Sequence, residues 1–433
     1  MIGVLTSVVA LLYSFPWLRP PEIAGVALPA QRVIAWIGLA LLVARLLVKG
    51  PLNAGPAARR FLSWVLLYMG FLLLIMVRLF AYAENFLPLY FAMDLSKYAA
   101  AFGVAYLVYY ALSAGLVSER RFVAQIIISG GLATVLVYAL LGLYYAGFRS
   151  NTEIIAPSFG GALGVWPTGG ALPRLAGPTA EPQQLSVALL TPLLLMLSRE
   201  YITKTWPIAV LTGGALLLSQ SKFSLVSLLL VGIYLTIVYR RWRKQVLLAG
   251  LMAAPLAAVV LLRLPTFQAT LESGLSAGAF VERLQNLMLL LTIIREHPGF
   301  GIGPGQFGAF FGETLYGDWR YSPGYTPNMD FLKVFAETGV FGFLLLLGLL
   351  GSLTRRFYRS YRVIPEYTRS RYLAFSLGGL GILLNMAIGY ELLHAFFWIN
   401  TAALLYFVDR TRHGAPVSPD LPLIDAGWQP VRE

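Results

Sequence analysis

Residues 61–82 read FLSWVLLYMGFLLLIMVRLFAY, with Arg78 as the one charged side chain. A helix that crosses a bilayer needs about 20 mostly apolar residues, and this run supplies them. Lipid offers no partners to free backbone N–H and C=O groups, so only helices and closed barrels can span it. The run is continuous rather than alternating, which excludes a barrel strand. Comparable runs recur at 2–15, 33–48, 98–115, 122–144, 183–198, 205–219, 222–239, 246–263, 329–352, 372–389 and 391–408. The first is short, and the last two lie close enough to form one re-entrant hairpin.

Composition agrees. Of 433 residues, 58% are hydrophobic and 12% charged, with a mean hydropathy of +0.71. Soluble domains carry roughly a quarter charged residues. The expected fold is an all-α polytopic membrane protein of about 12 transmembrane helices. It forms a single transmembrane domain over 1–409, with large extracytoplasmic loops at 145–182 and 264–328. The Pro-rich segment 410–433 reads as a disordered cytoplasmic tail. The N-terminal run lacks the basic segment and cleavage site of a signal peptide, and reads as a retained span.

The formal net charge is +13. A cytoplasmic N-terminus places Arg45, Lys49, Arg59, Arg60, Arg120, Arg121, Arg199, Lys204, Arg240, Arg241, Arg243 and Lys244 in cytoplasmic loops. Arg355, Arg356, Arg359, Arg362, Arg369 and Arg371 follow, and the tail adds Arg410, Arg412 and Arg432. Every second loop is basic, as the positive-inside rule requires, and both termini are expected in the cytoplasm. These residues orient helices, so the charge does not call for nucleic acid. Against the rule stand Arg19, Arg32, Arg78, Lys97, Arg149, Arg174, Lys222, Arg263, Arg283, Arg295, Arg320 and Lys333.

The chain has no cysteine, which removes thiolate nucleophiles, thiolate metal sites and disulfides. Its three histidines, His297, His394 and His413, are far apart, so no HExxH zinc site exists. No metal and no cofactor is expected. HPGFGIGPGQF at 297–307 has the glycines of a phosphate loop. It lacks GK[ST] and a βαβ setting, which excludes ATP and dinucleotide binding.

Several polar groups fall at the extracytoplasmic level. Lys222 ends the short turn Ser219-Gln220-Ser221-Lys222; a lysine there also serves by snorkelling to the head groups. Arg283 lies on a stretch, 280–295, whose apolar positions Phe280, Leu284, Leu287 and Leu291 recur at helical spacing. That stretch reads as an amphipathic helix at the membrane surface. With Arg174, these three cations suit a polyanionic lipid head group, arginine by its planar fork of donors. Glu181 precedes Pro182 at a helix start, where a carboxylate caps the helix or acts as a base. Asp330, Lys333 and Glu337 share one helix face, where ion pairing competes with function. Glu391 and His394 sit three apart near the outer end of the last hairpin.

The ordered set of motifs resembles the O-antigen ligase and O-antigen polymerase (Wzy-type) superfamily over about 170–345. Arg174-Leu175-Ala176-Gly177 and Glu181-Pro182 precede a span, and Lys222 stands where the family usually has arginine. Arg283 then precedes Ile294-Arg295-Glu296-His297-Pro298-Gly299-Phe300-Gly301, with Phe331-Leu332 and Ala336-Glu337-Thr338-Gly339 beyond. The resemblance implies a lipid-donor (GT-C-like) glycosyltransferase acting on undecaprenyl-diphosphate-linked oligosaccharides at the periplasmic face of the bacterial inner membrane. It implies diphosphate binding at Lys222 and Arg283; Arg174 and Glu337 join them as candidate substrate-binding residues, and Glu181, Asp330 and His394 are the candidate proton acceptors. A chain-length regulator and a flippase of the same pathway are the implied protein partners. Where the ligases carry a catalytic histidine before Asn328, this chain has Pro327. That departure favours a polymerase over a ligase. A transporter or flippase of an anionic lipid or solute is the rival of another class. It would be expected to show repeated halves and broken helices, which the sequence lacks.

Overall fold

The computed structural model describes residues 1–16, 30–49, 54–83, 86–147, 164–166, 173–179, 181–245, 248, 278–312, 327, 329–387, 389 and 392–412. The predicted span 246–263 and the tail 413–433 lie outside these residues, as do most of loops 145–182 and 264–328.

The described chain is all-α apart from one small hairpin. Its helices are α1 (Ile2–Leu11), α2 (Ala30–Lys49), α3 (Pro56–Tyr82), α4 (Pro88–Ser113), α5 (Glu119–Tyr145), α6 (Pro182–Met196) and α7 (Ile202–Leu218). Then come α8 (Lys222–Val238), α9 (Gly278–Glu296), α10 (Phe307–Gly312), α11 (Asp330–Tyr361), α12 (Glu366–Met386) and α13 (Ala395–Arg412). Strands β1 (Gly164–Trp166) and β2 (Arg174–Gly177) pair antiparallel. A helix coincides with every predicted span that falls on described residues. Among the described residues, α3, α5 and α11 are long and apolar enough to cross a membrane. Helix α13 runs past the predicted tail boundary to Arg412.

The core forms around α6, every residue of which is buried. This helix carries no charged residue, and its few polar side chains find partners inside the bundle, so it has no solvent face to present. It packs against α5, α7, α8 and α12. Small residues allow this approach. Gly130 lies against Pro192, and Gly378 against Thr191, where an added methyl would collide. Polar contacts pin the centre: Asn400 donates to Thr191 at 2.9 Å and accepts from Tyr13 at 3.0 Å. Apolar side chains also cover the outside. Leu66, Leu67, Leu74, Val77 and Phe80 of α3 are each more than half exposed. Such a patch needs an apolar medium around it.

Loop chemistry divides the bundle into two ends. At one end Asp409 accepts the amides of Ala57 and Ala58 at 2.7 and 3.1 Å, and the Tyr109 hydroxyl at 3.0 Å. Arg371 pairs with Glu119 at 2.5 Å and Glu200 at 3.0 Å, and Arg410 pairs with Glu119 at 2.6 Å. Arg199 reaches the Val238 carbonyl and Glu366. All these residues belong to, or border, loops that the charge pattern assigns to one side. At the opposite end lie the contacts joining 87 to 306, 305 to 337, 330 to 389–392 and 173 to 220. The alternation read from arginines and lysines is therefore the alternation of the helices.

Candidate functional site

The opposite end carries two groups of polar residues. The first surrounds the turn between α7 and α8. Ser221 caps α8 by accepting the Phe223 amide at 3.2 Å, and Gln220 takes a left-handed backbone, φ 46°. This sharp reversal leaves Lys222 at the start of α8 exposed, with no ion pair among the described residues. Gln220 donates to the Pro173 carbonyl at 3.2 Å, which holds the turn beside Arg174 at the head of β2. Ser219 meets Ser186 at 3.0 Å, which holds it against the first turn of α6. Glu181 precedes that turn, half-buried, and its carboxylate accepts from Gln183. Its backbone carbonyl, not its side chain, receives the first helical amides, from Gln184 and Leu185. Lys222, Arg174 and Glu181 thus start three elements stitched together by hydroxyl and amide contacts.

Arg283 sits in α9, which packs against α11. The packed face differs from the expected one. Asn286, Leu290 and Ile293 are buried, whereas Leu284 and Leu291 are almost half exposed. The run Met288–Ile294 is apolar on nearly every face, so the spacing of four leucine and phenylalanine positions does not choose the side that packs. Leu290 and Ile293 meet Ile302, Phe307 and Ala336 in a small core of their own.

The second group is buried. Lys333 of α11 pairs with Asp94 of α4 at 3.3 Å and with Glu337 at 3.8 Å. Lys97 also pairs with Asp94. Glu337 accepts the Gly305 amide at 3.0 Å. The Gly-rich segment wraps this helix: Ile302 and Gly303 donate to the Ala336 and Glu337 carbonyls at 3.1 and 2.7 Å. Val340 donates to Pro298 at 2.8 Å. The close approach demands glycine at Gly301, where a side chain would strike the Glu337 backbone, and at Gly339, which breaks the helical path with φ 65°. The glycines thus serve backbone docking, as their lack of a nucleotide fingerprint leaves room for.

Asp330 and His394 also face inward. Asp330 accepts the Leu392 amide at 2.7 Å, while the Asp330 and Met329 amides donate to Gly389. His394 is buried and stacks on Phe396 with ring centroids 5.3 Å apart. Glu391 lies outside the described residues, as does Asn328; Pro327 is buried. Asp94 is absent from the sequence-derived candidates, although an acidic residue three before Lys97 and next to an apolar run is a signal.

Residues 207–347 match the O-antigen ligase family. The matched region begins in α7, contains Lys222 and Arg283, and ends in α11. This match places the domain at residues 207–347 in the O-antigen ligase/polymerase superfamily. This is a membrane glycan-processing class of glycosyltransferase-like enzymes acting on lipid-linked oligosaccharides. No curated protein matches the sequence. Within this superfamily domain, the chain presents an accessible lysine at the α7–α8 turn and a buried charge cluster beneath the Gly-rich segment.

Proposed function

We propose that the chain is a polysaccharide polymerase of the bacterial inner membrane. It transfers a glycan from an undecaprenyl-diphosphate donor to a lipid-linked glycan acceptor at the periplasmic face. The observation that carries this reading is the exposed Lys222 at the head of α8, tied beside Arg174 and Glu181 inside a bundle of the O-antigen ligase/polymerase superfamily. The bundle has about twelve spans in a GT-C-like fold, with both termini cytoplasmic.

The reaction needs two things. A hydroxyl of the acceptor sugar attacks the donor's anomeric carbon, and the bond from that carbon to the diphosphate breaks with its electrons. Lys222, Arg283 and Arg174 stabilise the charge that develops on the diphosphate as it leaves. With these cations the leaving group needs no metal. Glu181, half-buried rather than enclosed, takes the hydroxyl proton. Asp330 and Glu337 act by positioning rather than chemistry, because their contacts hold the loops of the outer end, and His394 is buried against Phe396. Pro327 supports the polymerase, since the position has no imidazole.

The matched family's description supports a second reading, a ligase that delivers the glycan to lipid A core. One reconstitution separates the readings. Purified protein in liposomes is given lipid-linked oligosaccharide alone, then with lipid A core. Longer lipid-linked chains in the first arm support the polymerase. Product only on lipid A core supports the ligase. Translocation without a new glycosidic bond would support a transporter and overturn both.

A further inference from the structure

A cavity lies at the outer end, between the last turn of α3 and the Gly-rich segment, with a volume of about 340 Å³. Arg78, Tyr82, Phe86, His297, Gln306 and Phe310 line it. Among the described residues its lining holds no carboxylate. The Arg78 guanidinium lies 5.2 Å from the centre of the Phe300 ring and has no ion pair among the described residues. His297 meets Phe310 edge-on, ring centroids 5.5 Å apart, and its side chain has no hydrogen-bond partner among the described residues. An arginine and an imidazole with donors to offer, and no carboxylate in the described lining, suit an anion, and arginine suits phosphate by its planar fork.

The cavity wall is held in place. Gln306 clamps Leu87, accepting its amide and donating to its carbonyl, both at 3.0 Å. Gly305 is held by Glu337, itself tied to Lys333 and Asp94. The buried charges therefore support the wall of this cavity. Outside it, Val77 and Phe80 are each 61% exposed and Tyr82 is 85% exposed. Exposed apolar groups beside an interfacial tyrosine mark the edge of the hydrocarbon layer.

We propose that this cavity binds the phosphate end of a lipid amphiphile, through Arg78 and His297, with the tail lying along the apolar outer face of α3. Lys222 is not among the residues that line it. In the reaction proposed above, on which only the identity of the biological ligand rests, the occupant is the lipid-linked acceptor. A bilayer phospholipid offers the same chemistry.

The test uses the full chain carrying Lys222→Ala, in phosphatidylcholine nanodiscs, so that binding at the Lys222 turn is removed. Geranylgeranyl diphosphate, phosphatidylglycerol and inorganic diphosphate are titrated separately. Geranylgeranyl diphosphate binds, inorganic diphosphate binds much more weakly, and Arg78→Ala weakens lipid binding by about tenfold or more. Arg78→Lys keeps the charge without the fork and falls between. Melting temperatures change little, because Arg78 is exposed and holds no ion pair among the described residues. Phosphatidylglycerol binding as tightly as the diphosphate identifies a bilayer lipid as occupant; much weaker binding identifies the polyprenyl ligand. Equal lipid binding with and without Arg78→Ala and His297→Ala overturns the site. That failure leaves Lys222-dependent transfer in the otherwise unaltered protein untouched.

Discussion

Gly305 donates its amide to the Glu337 carboxylate across 3.0 Å, 32 residues apart in sequence. This contact joins the Gly-rich segment to the charged face of α11. Glu337→Ala removes both the acceptor and the anion beside Lys333, and should destabilise the fold by about 3 kcal/mol. Glu337→Gln keeps an acceptor oxygen for Gly305 and should lose clearly less. Thermal melting in detergent compares them, and equal melting of the two variants would contradict the contact.

Lys333 and Asp94 come from different helices, 239 residues apart in sequence, and are both buried. Removing one leaves the other's charge poorly matched; removing both does not. A double-mutant cycle of Lys333→Met and Asp94→Asn should return a coupling of about 1–3 kcal/mol. Strict additivity of the two losses would show that the pair does not interact.

Gly339 and Gly351 lie in the same helix, yet alanine should act oppositely at them. At Gly339 the backbone is left-handed and a methyl would strike the Gly299 carbonyl, so Gly339→Ala should lose about 3 kcal/mol. At Gly351 nothing lies within 4 Å of the added methyl. There Gly351→Ala should gain about 0.5–1 kcal/mol from helix propensity. Melting curves of the two variants decide the matter.

Helices and their alternation were legible in the sequence because hydropathy and loop arginines are local properties. The first turns of α4 were not. They carry Asp94 and Lys97 and read as loop, so the fourth span was expected to begin at 98, whereas α4 begins at Pro88. Those charges fit a helix only because Lys333 meets them from another helix, which no local pattern reports. The packed face of α9 was hidden for the opposite reason: its sequence is apolar on too many sides. At the candidate site, the motifs carried Lys222, Arg174 and Glu181. The contacts that join them, Gln220 to Pro173 and Ser186 to Ser219, are long-range and emerged only from the structure.

Lipid-diphosphate chemistry at the α7–α8 turn rests on Lys222. The most direct measurement is elongation of lipid-linked oligosaccharide in proteoliposomes by native protein and by Lys222→Ala. Because Lys222 is exposed and unpaired among the described residues, the variant should fold and melt normally. Loss of one cation that stabilises the leaving group should lower the rate by about 100-fold or more. Elongation at the native rate by Lys222→Ala would contradict the account.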